Sequence, residues 1–340
     1  MKLDASKIRK ILVISLSNIG DCVLTFPVID ILKEQFPQSE LDLVVGPKAE
    51  GLFKGNPHFA KVHVFDKHQS ALNQLRWVFN LWQERFDLAV DLRHTAIPFL
   101  IGAKYRTPLI RYSAHIPLPL WEGQGEGTHK RVHHLARLKT IVDFKKESKN
   151  RFCLCANAED EEYVSRLLKH RIGYGKKVVV MSPGAADQSK RWPEENFATL
   201  ADWLVETKQV KIVFVGDNSD AAIIRRILGK MKNSAIDLSG QITLIQLAQL
   251  LKKTSLVIAN DSAVMHMASY LDVPVVALFG PTNPEVYGPW SRQSTALRNN
   301  STCPACREPN SSARHMCMSE IQAGEVFKKI QLLSNGILKV

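Results

Sequence analysis

No stretch of this chain approaches the ~20 uninterrupted apolar residues that a membrane-spanning helix needs. The longest candidate, Thr95 to Ala103, is far too short. A leader peptide is not expected either. Basic Met1 to Lys10 and apolar Ile11 to Ser17 are followed by Asn18, Gly20 and Asp21 rather than a small-x-small cleavage site, so the run reads as a buried first strand. Cysteine is scarce, six in 340 residues and unevenly spaced, which excludes a secreted disulfide scaffold and fits a reducing cytoplasm. The first strand-to-helix loop has one glycine where a dinucleotide fingerprint needs three, which argues against a nicotinamide or flavin enzyme. Neither an RNP-type aromatic pattern nor a zinc-finger spacing occurs, so nucleic acid is not an expected partner.

What is present is ordinary globular material. Apolar residues make up 45% and charged residues 23% of a length that suits about two domains. Forty-five Lys and Arg against 33 Asp and Glu leave +12, so some surface should attract anions. Runs rich in Val, Ile and Leu alternate twice with helical-period stretches. The first set is Ile11 to Leu16, Leu41 to Val45, Val62 to Phe65 and Leu88 to Asp91; the second is Lys177 to Met181, Lys211 to Val215, Leu256 to Ala259 and Val275 to Phe279. Continuous apolar strands bounded by helices predict parallel sheets covered on both faces, hence an α/β chain of two doubly wound Rossmann-like domains. Arg171, Gly173, Tyr174 and Gly175 interrupt the pattern, so the boundary is expected between 172 and 173, with a cleft between the halves.

Ligands of open α/β sheets sit beyond the carboxyl ends of the strands, which directs attention to four loops. The first, Ser15 to Asp21, turns tightly at Gly20 and puts one carboxylate, Asp21, at a helix start; helix capping explains that acid equally well. The second, Ser182 to Pro193, joins small residues, Ser182 and Gly184 among them, to the adjacent cations Lys190 and Arg191. That combination suits a diphosphate, although a solvated loop would look the same. In the third, Val215 to Asp220, acids after a second strand suit ribose hydroxyls or plain caps. The fourth, Asn260 to His266, offers Asp261, Ser262 and Ala263 at a helix start, with Ser262 and His266 on one helical face. A further strand then leads to Gly280 and Thr282.

Taken in this order, the loops resemble glycosyltransferase family 9, the ADP-heptose:lipopolysaccharide heptosyltransferases. The likeness covers nearly the whole chain. It rests on Ser17-Asn18-Ile19-Gly20-Asp21, on Lys190-Arg191-Trp192-Pro193, and above all on Asn260 to Ala268 followed by Val275 to Thr282. The resemblance implies the GT-B architecture: an acceptor-binding domain over 1–172, a nucleotide-sugar domain over 173–320, and a final helix within 321–340 that crosses back onto the first domain. It implies Asp21 as catalytic base, Lys190 on the diphosphate, Asp220 on the ribose, and Asp261, Ser262, Ala263 and His266 at the donor-binding helix start, with Gly20, Ser182, Gly184, Gly280 and Thr282 as backbone or phosphate contacts. Two departures stand out. Asp220 is shorter than the glutamate of some relatives, and Ala263 adds a methyl where glycine is usual.

The implied reaction is inverting transfer of heptose from ADP-heptose to the lipopolysaccharide inner core, without cofactor or metal. The same loops also suit another GT-B nucleotide-sugar enzyme, with a different sugar or acting as an epimerase, or a non-catalytic nucleotide-sugar-binding protein. Chemically, direct displacement needs one base on the acceptor hydroxyl and positive charge on the departing diphosphate. A carboxylate suffices as base when proton transfer comes late against an oxocarbenium-like transition state. No acidic triplet of the kind that holds a metal in metal-dependent transferases is present. Residues 102–151 carry eleven Lys and Arg against four Asp and Glu. They form either a solvated face or a contact for an anionic lipid-linked saccharide and for the inner-membrane surface of the cytoplasm that displays it. Within them, Glu122 to Gly127 is expected to be mobile. Cys303, Cys306, His315 and Cys317 could form a tetrahedral zinc site, off the standard finger spacings. The family resemblance implies no metal requirement for that segment. Cys153 and Cys155 are expected on one face of a strand, in the core.

Overall fold

A computed structural model describes every residue except 1, 2, 4, 16, 110–128, 174, 300–302, 308–314 and 334–340. The segment Glu122 to Gly127 lies outside the described residues. The chain divides into two compact units, Met1–Asn157 and Ala158–Val340.

In the first unit, β1 (Lys10–Ile14), β2 (Glu40–Val45), β3 (Val62–Val64), β4 (Leu88–Asp91) and β5 (Tyr105–Arg106) form one parallel sheet in the order β3-β2-β1-β4-β5. Apolar residues fill both faces of β1 because helices cover both, so Ile11 to Ile14 are wholly buried. The covering elements are α1 (Ile19–Val23), α2 (Phe26–Gln35), α3 (Ala71–Gln83), α4 (Ile97–Leu100) and α5 (Lys130–Lys139). Strand order reverses between β1 and β4, so the loops after these two strands flank a crevice at the sheet's carboxyl edge. Asp21 lies beside it.

Cys153 and Cys155 are not on a strand. Their segment is irregular because its polar partners come from helix and loop side chains: Asp30 accepts from the Phe152 amide (2.9 Å), and Asn56 donates to the carbonyls of Phe152 (2.8 Å) and Cys153 (3.0 Å). Cys153 is buried and Cys155 only partly so.

The second unit begins earlier than the Gly-rich interruption suggests. Helix α6 (Ala158–Arg171) packs against α9 (Leu244–Lys252), and Gln246 Nε2 donates to Asp160 (2.9 Å), so the boundary falls at 157/158 rather than 172/173. Its sheet is parallel, in the order β11-β10-β9-β6-β7-β8. The strands are β6 (Val178–Ser182), β7 (Lys211–Phe214), β8 (Ile236–Asp237), β9 (Leu256–Asn260), β10 (Val275–Phe279) and β11 (Thr295–Arg298). Between them run α7 (Glu194–Lys208), α8 (Ala221–Lys230), α9, α10 (Ala263–Tyr270) and α11 (Pro284–Tyr287), followed by α12 (Pro304–Arg307), α13 (Cys317–Glu320) and α14 (Ala323–Leu333). Local signals set the ends. Thr243 and Gln246 close a reciprocal capping box on α9, and Gln209 ends α7 in the left-handed conformation (φ 51°).

Helix α14 packs on α7 and β10, and its apolar positions Val326 and Ile330 belong to the core of the second unit with Trp192, Phe197 and Leu204. Spacing of 326 and 330 gives the helix one buried face, and that face is filled here.

Candidate active site

The order of the second sheet reverses between β6 and β9, and the loops after both carry the charged residues singled out by the sequence. The strand-end Asn260 ties these loops together. It is fully buried, donates to the Pro183 carbonyl (2.7 Å) and accepts from the Trp192 amide (3.3 Å). Trp192 is anchored in turn by its indole N–H on the Ile321 carbonyl (2.8 Å). Between these anchors a 3₁₀ turn, Gln188–Lys190, capped by Asp187 on the Ser189 amide (2.8 Å), presents Lys190. Its ammonium lies 2.8 Å from Asp261 Oδ2, with 30% of the Lys side chain but only 7% of the Asp side chain exposed. Lys190 is therefore not a solvated surface cation. Arg191 turns back to the Ala185 carbonyl (2.9 Å) and braces the loop.

Asp261 stands just before α10. Ser262 occupies the N-cap position in extended backbone, yet its side chain does not cap, and its Oγ is buried with no hydrogen bond among the described residues. His266, one turn on, is buried with Nε2 4.0 Å from Asp261 Oδ1 and its ring stacked 5.9 Å from that of Trp290. A cation, a carboxylate, an imidazole and the free amides of a helix start thus converge on one crevice.

Two glycines are demanded by close approach. A Cβ at Gly184 would collide with the Asp220 carboxylate, so Gly184 brings the β6 loop against the β7 loop. At Gly280 it would lie 2.8 Å from the Ser189 carbonyl oxygen and 3.0 Å from Met318 Cγ, so the β10 loop rests directly behind the Lys190 turn. Arg298 holds that loop through the carbonyls of Gly280 and Pro281 (3.1 Å each). Asp220 accepts from the Asp217 amide (3.2 Å); burial first, then the neighbouring Asp217 carboxylate, raises its pKa. Bonds from Ser219 hold the Asp217 carboxyl below its ordinary range. The structure brings Ser182, Gly184, Lys190, Asp261, Ser262, Ala263 and His266 to the β6–β9 crevice, with Asp220, Gly280 and Thr282 on the adjoining loops.

Asp21 belongs to the first unit, in the first turn of α1. It does not cap that helix: Asn18 occupies the cap, and its Nδ2 donates to Asp21 Oδ2 (3.3 Å). Across the crevice, the loop after β4 is set by Asp91, which accepts from the amides of Arg93 (2.7 Å) and Thr95, and by Arg137. The Arg137 guanidinium binds the Asp91 and Pro108 carbonyls and His94 Nδ1. This node, like the bracing by Arg298 and Trp290, was not singled out from sequence, and Asn260 was quoted at the head of the fourth loop without its latching role. An Asn closing an apolar strand was a readable signal; Arg137, inside a basic helix, carried none.

Residues 80–317 match the sequence family described as glycosyltransferase family 9 (heptosyltransferase). The chain belongs to that family. As a family member it is a glycosyltransferase, an enzyme of GT-B architecture. It is 27% identical over 319 residues to the lipooligosaccharide heptosyltransferase 2 of Haemophilus ducreyi, covering 85% of this chain and 88% of that one. It is 24% identical to the lipopolysaccharide heptosyltransferase 2 of Escherichia coli K12, with the same coverage. A family 9 glycosyltransferase from Veillonella parvula superposes with a TM-score of 0.80 at 24% identity over 98% of both chains. The E. coli ADP-heptose lipopolysaccharide heptosyltransferase II superposes with a TM-score of 0.72 at 21% identity, over 95% of this chain and 98% of that one.

Proposed function

We propose that this glycosyltransferase transfers heptose from ADP-heptose to the inner core of lipopolysaccharide, with inversion and without a metal ion. The observation that carries the reading is the Lys190–Asp261 pair beside the open start of α10 at the strand-order reversal, in a chain whose curated relatives are named as heptosyltransferases. Lys190 and the α10 amides supply the positive charge that a departing diphosphate requires. The buried, unbonded Ser262 hydroxyl is suited to donate to a phosphate oxygen, and Asp220 to accept from a ribose hydroxyl. Asp21 takes the proton of the acceptor hydroxyl as that oxygen bonds to the anomeric carbon. The bond from that carbon to the diphosphate breaks with its electron pair, and ADP leaves.

The test is direct: purified enzyme, ADP-heptose and a panel of truncated lipopolysaccharide acceptors, read by mass spectrometry. A mass gain of one heptose on a single acceptor is the expected result. Slow hydrolysis of donor with no acceptor modified would count against the reading.

The lipid-linked acceptor implies work at the cytoplasmic face of the inner membrane, and α3 is suited to that surface. Among the described residues no helix is long and apolar enough to cross a bilayer. Leu81 is buried on one side of α3, yet Leu72, Leu75, Phe79 and Trp82 share the opposite face and are each half or more exposed. Exposed Phe99 and Leu100 on α4, which packs on α3, extend the stripe, and exposed cations Arg76, Lys104 and Arg106 border it. An apolar stripe with aromatic rings and a cationic rim matches an anionic lipid headgroup layer. In sedimentation with vesicles containing anionic phospholipid, Leu75→Ser/Phe79→Ser should weaken binding at least about tenfold, given ~1.5–3 kcal/mol per large apolar side chain buried. Equal sedimentation of both proteins would remove the assignment.

A further inference from the structure

Cys303, Cys306, His315 and Cys317 lie outside the donor crevice, and the transfer chemistry uses none of them. Their ligand atoms all fall within 4.8 Å of one another. Cys306 Sγ is 3.4 Å from His315 Nδ1 and 3.5 Å from Cys317 Sγ; Cys303 Sγ is 3.6 Å from Cys317 Sγ and 4.0 Å from His315 Nδ1. With Zn–S near 2.3 Å and Zn–N near 2.0 Å, a tetrahedral ion requires ligand-to-ligand edges of roughly 3.5–3.8 Å, and these four separations lie within about 0.2 Å of that range. The local chain accounts for the convergence. Short helix α12 turns Cys303 and Cys306 to one side, with the Cys306 amide on the Cys303 carbonyl (3.1 Å), while His315 and Cys317 flank the start of α13.

We propose that these four side chains form a structural zinc site. All six cysteines of the chain are free thiols. A disulfide would join two of the sulfurs and leave the third thiol and the imidazole without a role, whereas a soft, four-coordinate cation uses all four. Cys303 and Cys317 are fully buried, as a closed structural site requires. The Met316 amide donates to Cys303 Sγ (3.3 Å), the outer bond that steadies a thiolate ligand.

The site has a mechanical consequence for the donor loops. Met318, next to Cys317, packs on Gly280, and Gly280 packs on the Ser189 carbonyl beside Lys190. Zinc would fix α13 against the back of the Lys190 turn.

The test uses the full, untagged chain purified under reducing conditions. Elemental analysis should find about one zinc per chain, and Cys306→Ser/His315→Ala should fall below about a tenth of that, whereas Cys155→Ser should keep its metal. Because the double variant could misfold, the wild-type protein is also exchanged with Co²⁺. It should then show the intense ligand-field bands and sulfur-to-cobalt charge transfer of a tetrahedral thiolate site. Iron in place of zinc, no metal, a cobalt spectrum without thiolate charge transfer, or a disulfide among the three cysteines in freshly reduced protein would each overturn the assignment.

Discussion

Replacing Asp21 with alanine should lower kcat by about 10²–10⁴-fold, the range that a positioned general base supplies. The donor residues named above all belong to the second unit and Asp21 to the first, so donor affinity should stay within about twofold of wild type. The contrast between the two readouts is the informative part. Asn18 orients the Asp21 carboxylate and itself occupies the N-cap position, so the variant removes neither a cap nor a core contact, and folding should be little affected. Single-turnover mass spectrometry would give the rate, and calorimetric titration with ADP-heptose the affinity. Retained transfer would sink the base assignment, and so would loss of donor binding in step with loss of rate.

Lys190→Ala should reduce kcat/KM by about 10²–10³-fold, comparable to removing one preorganised donor from a developing anion. ADP binding should weaken too, for two reasons. The ammonium is gone, and the Asp261 carboxylate, nearly buried and 2.8 Å from that ammonium, now confronts the diphosphate without its counter-charge. That second contribution can be isolated. In Lys190→Ala/Asp261→Asn the repulsion is removed, so part of the lost ADP affinity should return, and the two sites should be non-additive by the 0.5–3 kcal/mol typical of contacting residues. Thermal stability should fall as well, because the Asp261 carboxylate is left nearly buried without its counter-charge, and Asp261→Asn in the double variant should return part of the loss. Unchanged ADP affinity in Lys190→Ala would remove this lysine from the diphosphate site.

Much of the architecture was legible in one dimension. Eight strands read as apolar runs recur in the two parallel sheets, because a strand covered on both faces must be apolar throughout, and such runs are visible without any contacts. Short or partly polar β5, β8 and β11 carry no such signal. The chemistry-bearing loops were legible because small residues and charges at strand ends interrupt apolar runs. The limit between the two units was not. Gly173 and Gly175 do interrupt the chain with positive φ, yet α6 before them spends its apolar face on α9. Which neighbour a helix covers depends on partners distant in sequence.

The same division holds at the site. Residue order alone determined that Asp21, Lys190, Asp220 and Asp261 follow strands, and so lie at the carboxyl edges where open sheets bind ligands. Tertiary structure alone decided that Lys190 faces Asp261 across 71 residues, that Asn260 latches two loops, that Ser262 keeps its hydroxyl unbonded, and that three thiols and an imidazole meet. Strand and helix identity comes from periodicity within a few residues. Charge pairing and ligand geometry come from which strands become neighbours, and the order β9-β6-β7 sets that.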